Sequence, residues 1–266
     1  MVFAYLEHAI GTKRHTHLLE PGYTVSDSEV RKVLDGFVRM ASGEPLQYVC
    51  GKAHFYGREF CVTPATLIPR PETELLCREA VRLVTDKGIS SPRILDLCTG
   101  SGCIAWTLSL EMPGADVTAA DISQEALGVA ASQDFTNEMS VSGALPPDFV
   151  LSDILSPPTG FNEEYDLIVS NPPYVMDSEK ALMRRNVLEH EPHLALFVPD
   201  EDPLVFYRSV ASWASALLTP GGSGIVEINE ALGMETAAVF SSEGFCEVRV
   251  LKDLSEKDRF VIFSKK

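Results

Sequence analysis

From residue 93 onward, short apolar runs alternate with segments in which apolar residues recur every three or four positions. The runs are typical of buried strands, and the longer spacing is typical of helices that pack on one side. Strands are predicted at 93–97, 116–120, 149–151, 166–170, 223–228, 245–251 and 259–264. Helices are predicted at 103–112, 124–132, 178–188, 203–218 and 231–242. Alternation of this kind predicts an α/β fold with a mostly parallel seven-stranded sheet, and the short turn before the last strand predicts a C-terminal antiparallel hairpin.

The first part of the chain has a different pattern. Residues 26–41 form a predicted helix, because Ser26 and Glu29 make a capping box ahead of an apolar face. Residues 53–62 predict a hairpin that turns at Gly57. We therefore expect three parts: a small helical domain at 1–50 with one clear helix, a linking β-hairpin at 51–65, and the α/β body at 66–266.

Composition places the chain among globular proteins with a substantial core, since 45% of its 266 residues are hydrophobic and 23% are charged. No apolar run approaches the roughly 20 residues that cross a bilayer, and no cationic region precedes the N-terminal apolar stretch. Six cysteines are scattered without metal-type spacing. We expect a cytoplasmic protein with free thiols, no bound metal and no membrane contact.

The charge distribution bears on the kind of partner. The chain carries 22 basic and 38 acidic residues, a net charge of −16, and residues 1–60 are neutral overall. Nucleic-acid binders usually show a basic stripe, because neutralisation of phosphates supplies much of their affinity. We therefore expect no direct nucleic-acid binding and favour a small molecule or a protein as partner.

A glycine-containing loop follows the first strand of the body. Gly100 and Gly102 lie between the strand at 93–97 and the helix at 103–112, where backbone N–H groups can approach a ligand. The spacing to Ala105, with Asp121 about 20 residues further on, also fits the dinucleotide fingerprint. A nicotinamide-dependent oxidoreductase therefore stays open on the glycine spacing alone.

Two further carboxylates favour S-adenosylmethionine. Asp96 ends the first strand, where it can steady the loop and reach an ammonium group, whereas it would repel a pyrophosphate. Asp153 follows the third strand and could accept a hydrogen bond from an adenine amino group, and Asp121 could bind a ribose. Ligands of open α/β sheets bind at this carboxyl edge.

The stretch VSNPPYV at 169–175 ends the fourth strand. An amide or aromatic amino nitrogen is a poor nucleophile, because its lone pair is delocalised. Acceptors on both of its N–H groups, here the Asn171 side chain and the Pro172 carbonyl, would orient it for in-line methyl transfer. Pro172 and Pro173 stiffen the turn, and the Tyr174 ring can pack on a planar group. Asn171 and Pro172 are thus predicted to be catalytic.

Several segments resemble the release-factor glutamine methyltransferases, also called PrmC or HemK. They are GEPLQYVCG at 43–51, TPATLIPRPETELL at 63–76, ILDLCTGSGCIA at 94–105, YDLIVSNPPYV at 165–175 and EHEPHLALF at 189–197. The resemblance implies a Rossmann-like class I methyltransferase body behind a small helical substrate-recognition domain. It also implies methyl transfer from S-adenosylmethionine, which leaves S-adenosylhomocysteine, to the side-chain nitrogen N5 of the glutamine in the GGQ motif of peptide-chain release factors.

The resemblance also carries residue roles. It implies cofactor contacts from Cys98, Thr99, Gly100, Ser101, Gly102, Asp121 and Asn171, to which Asp96, Asp153 and Ile154 are added at the same edge. It implies substrate contacts from Asn171, Pro172, Pro173 and Tyr174, and it places segment 68–74 beside the pocket.

Three features depart from the family pattern. Cys98 stands where the family has its first loop glycine, and Ile154 stands where the family often has an aromatic residue. The N-terminal domain is predicted to be abbreviated.

We expect a monomer that acts on a release factor. The alternatives are an N6-adenine or N2-guanine methyltransferase of nucleic acids, which would share the NPPY motif, and a non-catalytic binding module.

Overall fold

The computed structural model describes residues 2–13 and 15–266, so positions 1 and 14 of the predicted domain 1–50 lie outside the described residues. The helices are α1 Val2–Ile10, α2 Thr16–Leu19, α3 Asp27–Ala41, α4 Leu46–Cys50, α5 Pro71–Asp86, α6 Cys103–Glu111, α7 Gln124–Ala131, α8 Thr136–Ser142, α9 Arg185–His190, α10 Val205–Leu217 and α11 Gly233–Ser242. The strands are β1 Lys52–Phe55, β2 Arg58–Cys61, β3 Arg93–Leu97, β4 Asp116–Asp121, β5 Asp148–Leu151, β6 Tyr165–Ser170, β7 Val175–Met176, β8 Phe197–Val198, β9 Leu218–Glu227, β10 Cys246–Lys252 and β11 Asp258–Ser264. Short 3₁₀ helices span Asp177–Leu182 and His193–Ala195. Within the described ranges, no helix combines the length and the apolar character that a membrane crossing requires.

The central sheet has seven strands in the order β10-β11-β9-β6-β3-β4-β5. The strands from β9 to β5 are parallel to their neighbours, and β11 runs antiparallel to both β9 and β10. The predicted fold class, a mostly parallel seven-stranded sheet with a C-terminal antiparallel hairpin, is confirmed.

Helices cover both faces of this sheet, and each strand contributes to both cores because successive side chains point to opposite faces. In β3, Ile94 joins the core cluster that includes α5 and α6, whereas Leu95 joins the cluster that includes α10 and α11. In β6, Leu167 and Ile168 divide in the same way. Strands buried on both faces read as continuous apolar runs, and for this reason the sequence pattern located them.

The N-terminal part holds four helices among the described residues, and the prediction of one clear helix was wrong. Helix α1 has nine residues, and α2 and α4 have four and five, so each offers too few positions for its sequence to establish a helical period. Tyr5 of α1 anchors the unit, because its hydroxyl donates to the Lys32 carbonyl at 2.7 Å and its ring meets Phe37 edge-on.

Other predicted boundaries also differ. The helix predicted at 178–188 is a 3₁₀ helix followed by α9, because Met183 and Arg184 between them are extended, with ψ of 154° and 140°. Strand β9 begins at Leu218, five residues before its predicted start, and runs through the pair Gly221-Gly222. Helix α8 was not predicted.

The helical part is tied to the body beside the hairpin. The predicted hairpin is present as β1 and β2, and Gly57 takes a φ of +75° at its turn. Tyr48 of α4 is buried with Ala53, Val62 and Ile68. The Tyr48 hydroxyl donates to the Thr66 carbonyl at 2.6 Å, so α4 is bonded directly to the segment that precedes α5.

Two helical glycines should respond oppositely to alanine. A Cβ on Gly36 in α3 would lie 1.9 Å from the Tyr5 hydroxyl oxygen, whereas a Cβ on the exposed Gly128 in α7 would meet nothing within 4 Å. We expect Gly36→Ala to lower the free energy of unfolding by about 1–3 kcal/mol through overpacking. We expect Gly128→Ala to raise it by about 0.5–1 kcal/mol through helix propensity. Urea denaturation of both variants measures the contrast, and equal changes would contradict this packing.

Candidate active site

A cavity of about 370 Å³ lies at the carboxyl ends of the central parallel strands. The loops after β3, β4, β5 and β6 form its walls, and segments around 65–70 and 192–195 close it from outside the sheet. From β3 the chain proceeds to β4 and β5 on one side, and β6 then returns to the other side of β3. The cavity therefore lies at the point where the strand order reverses, which is the usual ligand site of such sheets.

The loop after β3 is held by hydrogen bonds to both flanking strands. The Thr99 hydroxyl donates to Asp96 Oδ2 at 2.6 Å, and the Gly100 N–H donates to Asp121 Oδ2 at 2.8 Å. Gly100 has a φ of +56° and open space where a Cβ would stand. Gly102 has a φ of +78°, and a Cβ there would press on Ala130 at 3.0 Å. Gly100 therefore leaves room beside the cavity, whereas Gly102 allows close packing behind it.

Cys98, at the position where the sequence departs from the family glycine, has a φ of +61°. This left-handed conformation favours glycine, because a side chain there crowds the backbone. Cys98 lines the cavity and packs against the core cluster on the α10 side of the sheet. Burial raises the pKa of its thiol above the usual value.

The three predicted cofactor carboxylates occupy different depths. Asp121 and Asp153 line the cavity, and their Oδ1 atoms accept from the Ser123 and Leu155 N–H groups, both at 2.9 Å. Asp96 lies behind the loop with no exposed surface, and burial raises its pKa to about 7. Hydrogen bonds from the Thr99 hydroxyl and the Ala105 N–H favour its charged form and oppose this shift.

The corner after β6 adjoins the same cavity. Ser170 lies opposite Leu97 of β3, and its hydroxyl donates to the Leu97 carbonyl at 2.8 Å. Asn171 and Pro173 form part of the cavity wall. The strand register thus brings the NPPY corner beside the glycine loop.

The structure gathers most of the predicted site residues into one place. Those in the cavity wall are Cys98, Thr99, Gly100, Ser101, Asp121, Asp153, Ile154, Asn171 and Pro173. Asp96, Gly102, Pro172 and Tyr174 lie outside the wall. Tyr174 instead packs against the core and donates its hydroxyl to Glu227 Oε1 at 2.9 Å. The roles assigned to these residues stay predictions.

Comparison with known proteins gives two family models and many relatives. "Methyltransferase small domain" matches residues 74–195, and "PrmC N-terminal domain" matches residues 3–51. The release factor glutamine methyltransferase of Bacteroides thetaiotaomicron is 43% identical over 237 residues, which cover 89% of this chain and 82% of that protein. The protein of the same name from Flavobacterium psychrophilum is 38% identical over 94% of this chain and 85% of its own length.

This chain belongs to the release factor glutamine methyltransferase family. The match at residues 3–51 covers the four N-terminal helices, so that region is the N-terminal domain of the family. More distant structures share the fold alone. The Thermus thermophilus 16S rRNA N2 G1207 methyltransferase RsmC superposes with a TM-score of 0.54 at 19% identity, over 81% of this chain and 50% of that chain.

Asn171 and Tyr174 have hydrogen-bond partners that the sequence analysis did not identify. Thr73, in the first turn of α5, accepts from Asn171 Nδ2 at 3.3 Å and donates to Glu227 Oε2 at 2.7 Å. The Asn229 side chain donates to the Tyr174 carbonyl at 3.1 Å and so holds the far end of the corner. Glu227 could have been identified from the sequence, because a carboxylate inside the apolar run GIVEI at 224–228 is unusual for a buried strand.

An ion pair joins the two segments that close the cavity. Arg70 Nη2 lies 2.6 Å from Glu191 Oε1, and Glu191 Oε2 accepts from the Ile68 N–H at 3.2 Å. The Glu191 side chain is 1% exposed. Arg70 is the one basic side chain in the cavity wall as far as the structure describes it, beside the acidic residues Asp121, Glu125 and Asp153.

The strain at Cys98 predicts a measurable difference between two variants. Cys98→Gly and Cys98→Ala both remove the thiol, but only glycine relieves the left-handed backbone. We expect Cys98→Gly to exceed Cys98→Ala in free energy of unfolding by about 1 kcal/mol, the reverse of the usual order for these two residues. Guanidinium denaturation gives the difference, and a more stable alanine variant would refute the strain.

Proposed function

We propose that this protein transfers a methyl group from S-adenosylmethionine to the side-chain nitrogen N5 of the glutamine in the GGQ motif of a peptide-chain release factor. The main observation in support of this proposal is that Asn171 and the glycine loop line one cavity in a chain of this family. The names of the relatives in the family support the same reaction. We place the reaction in the cytoplasm, where peptide chains are terminated.

The residues present fit S-adenosylmethionine. The cofactor carries a sulfonium and an ammonium group, and the cavity offers Asp121 and Asp153 on its wall. Behind the loop, the buried Asp96 accepts from the Thr99 hydroxyl and so steadies the loop that borders the cavity. The pyrophosphate of a nicotinamide dinucleotide would instead meet these carboxylates and, among the described residues of the wall, the single cation Arg70. The volume is in the range of small-molecule sites.

Residues around the cavity have separate tasks in holding the cofactor. Asp121 would accept hydrogen bonds from the ribose hydroxyls. The Gly100 and Ser123 N–H groups, which donate to its carboxylate, keep that carboxylate oriented. Asp153 would accept from the adenine amino group, and the buried Ile154 offers an apolar surface to the ring. Bound S-adenosylmethionine supplies an electrophilic methyl carbon on sulfur.

The corner would prepare the substrate nitrogen. The Asn171 side-chain oxygen and the Pro172 carbonyl would each accept one N–H of the glutamine amide, which orients the nitrogen lone pair toward the methyl carbon. Methyl transfer to this nitrogen would form the nitrogen–carbon bond, and the sulfur would keep the electron pair of the broken carbon–sulfur bond. The nitrogen becomes strongly acidic as it is methylated, so its proton passes to water without a strong base. Pro172 and Pro173 are buried, and their rings restrict the motion of the turn.

Arg70 would bind the carboxylate of the cofactor. Glu191 engages Nη2 of the guanidinium, and the group carries five N–H donors, so further donors remain for a ligand. A carboxylate beside an arginine forms charge-assisted hydrogen bonds, which are stronger than neutral ones.

An Arg70→Met variant tests this assignment. We expect its affinity for S-adenosylmethionine to fall about 10- to 100-fold, the value of a charge-assisted hydrogen bond. Its affinity for decarboxylated S-adenosylmethionine should fall less than about threefold, because that ligand has no carboxylate to lose. Calorimetric titration measures both. Equal losses for the two ligands would show that Arg70 supports the cavity wall instead.

The N-terminal helices would take part in gripping the release factor. Val30, Leu34 and Val38 lie one turn apart on α3 and are 39%, 57% and 69% exposed. An exposed apolar stripe of this kind is typical of a surface that meets another protein. We expect the enzyme to act as a monomer.

Methyl transfer itself is tested with a labelled methyl donor. We expect label on an intact release factor, none on a release factor whose GGQ glutamine is changed to alanine, and none on duplex DNA. Asn171→Ala should lower turnover by about 100-fold or more, because one preorganised acceptor is lost. Its affinity for S-adenosylhomocysteine should be largely kept. Label that survives the glutamine change, or that appears on DNA, would overturn the proposal.

A further inference from the structure

A chain of hydrogen bonds runs from the corner into the interior. Asn171 Nδ2 donates to Thr73 Oγ1 at 3.3 Å, and the Thr73 hydroxyl donates to Glu227 Oε2 at 2.7 Å. The other carboxylate oxygen, Oε1, accepts from the Tyr174 hydroxyl at 2.9 Å. Thr73 and Glu227 are 2% and 1% exposed, so water does not compete for these bonds.

We propose that Thr73 and Glu227 are positioning residues that fix the side-chain amide of Asn171 with its oxygen available to the substrate. This inference rests on the proposed function, because it assigns the Asn171 oxygen the task of accepting an N–H from the substrate amide. It adds Thr73 of α5, which borders the cavity with 2% of its surface exposed, and Glu227 of β9, and both are proposed to act on the substrate through Asn171.

The polarity of the chain follows from what each group can donate. Thr73 and Tyr174 each direct a hydroxyl at one oxygen of Glu227, and an ionised carboxylate can only accept, so in that state both hydroxyls donate. The single hydrogen of the Thr73 hydroxyl is then used, and toward Asn171 its oxygen can only accept. A reversed Asn171 amide would set two acceptor oxygens against each other. The NH₂ end of Asn171 is therefore held at Thr73, and its oxygen is directed away from Thr73.

This direction holds while Glu227 is ionised. Burial, and to a smaller extent Glu72, raises the pKa of Glu227. The hydroxyl donors Thr73 and Tyr174 and the charge of Arg259, on the neighbouring strand β11, favour the anion. A neutral side chain at this position could donate to Thr73, free its hydroxyl hydrogen for Asn171, and stabilise the reversed amide.

The first experiment compares Thr73→Val with Thr73→Ser. Valine removes the hydroxyl at nearly constant shape, so Asn171 loses its fixed orientation, and we expect kcat to fall about 10- to 100-fold. The KM for release factor and the affinity for S-adenosylhomocysteine should stay within about threefold, since neither depends on that hydroxyl. Serine restores the hydroxyl, and its kcat should return to within about threefold of the parent enzyme.

A matched control uses another buried threonine. Thr236 in α11 has no exposed surface, and its hydroxyl has no hydrogen-bond partner among the described residues. We expect Thr236→Val to leave kcat unchanged, which shows that a buried threonine-to-valine change is not harmful in itself. A Thr73→Val enzyme with normal kcat, or a Thr73→Ser enzyme as slow as Thr73→Val, would overturn the inference.

A second measurement determines the donor and the acceptor of each hydrogen bond directly, and it uses the unaltered protein. Neutron diffraction from deuterium-exchanged crystals of the unaltered protein should show the Thr73 deuterium on the Glu227 side and both Asn171 amide deuterons on the nitrogen next to Thr73. The opposite arrangement would overturn the inference. Failure of the proposed function has a different signature, namely that the unaltered enzyme does not label a release factor.

Discussion

The register between β3 and β6 is the constraint on which the site depends. Leu97 lies opposite Ser170, and the Ser170 hydroxyl bonds the Leu97 carbonyl, so the two strands end together. The glycine loop leaves one strand end, and the corner that begins at Asn171 leaves the other. A slip of one residue would turn every buried side chain of β6 to the wrong face, so the core that stabilises the sheet also fixes the distance between these loops.

Two buried carboxylates near the cavity, Asp96 and Glu227, each accept a hydrogen bond from a threonine. Asp96 accepts from Thr99 beneath the glycine loop, and Glu227 accepts from Thr73 behind the corner. A hydroxyl satisfies a lone pair without neutralising the charge, whereas a lysine or arginine would cancel it. In its ionised form, each of these carboxylates therefore adds negative potential beside a site that is proposed to receive a sulfonium ion.

Local pattern was enough to predict the sheet and the two loops, because buried strands and glycine turns are encoded within a few residues. It did not reveal α1, whose nine residues are too few to establish a helical period, or the break near Met183, where two extended residues divide a helical pattern. The partners Thr73 and Glu227 are 154 positions apart and meet only when the sheet is assembled. No spacing rule along a single chain reports such a contact.

The cysteine in the cavity wall has a further consequence. A thiolate is a far better nucleophile than an amide nitrogen, and one placed beside a sulfonium ion would capture the methyl group itself. Burial raises the pKa of Cys98, so its sulfur keeps its proton at neutral pH. In the proposed complex, the burial and the neighbouring carboxylates that raise this pKa disfavour the thiolate, and so slow the capture of the methyl group by Cys98 itself.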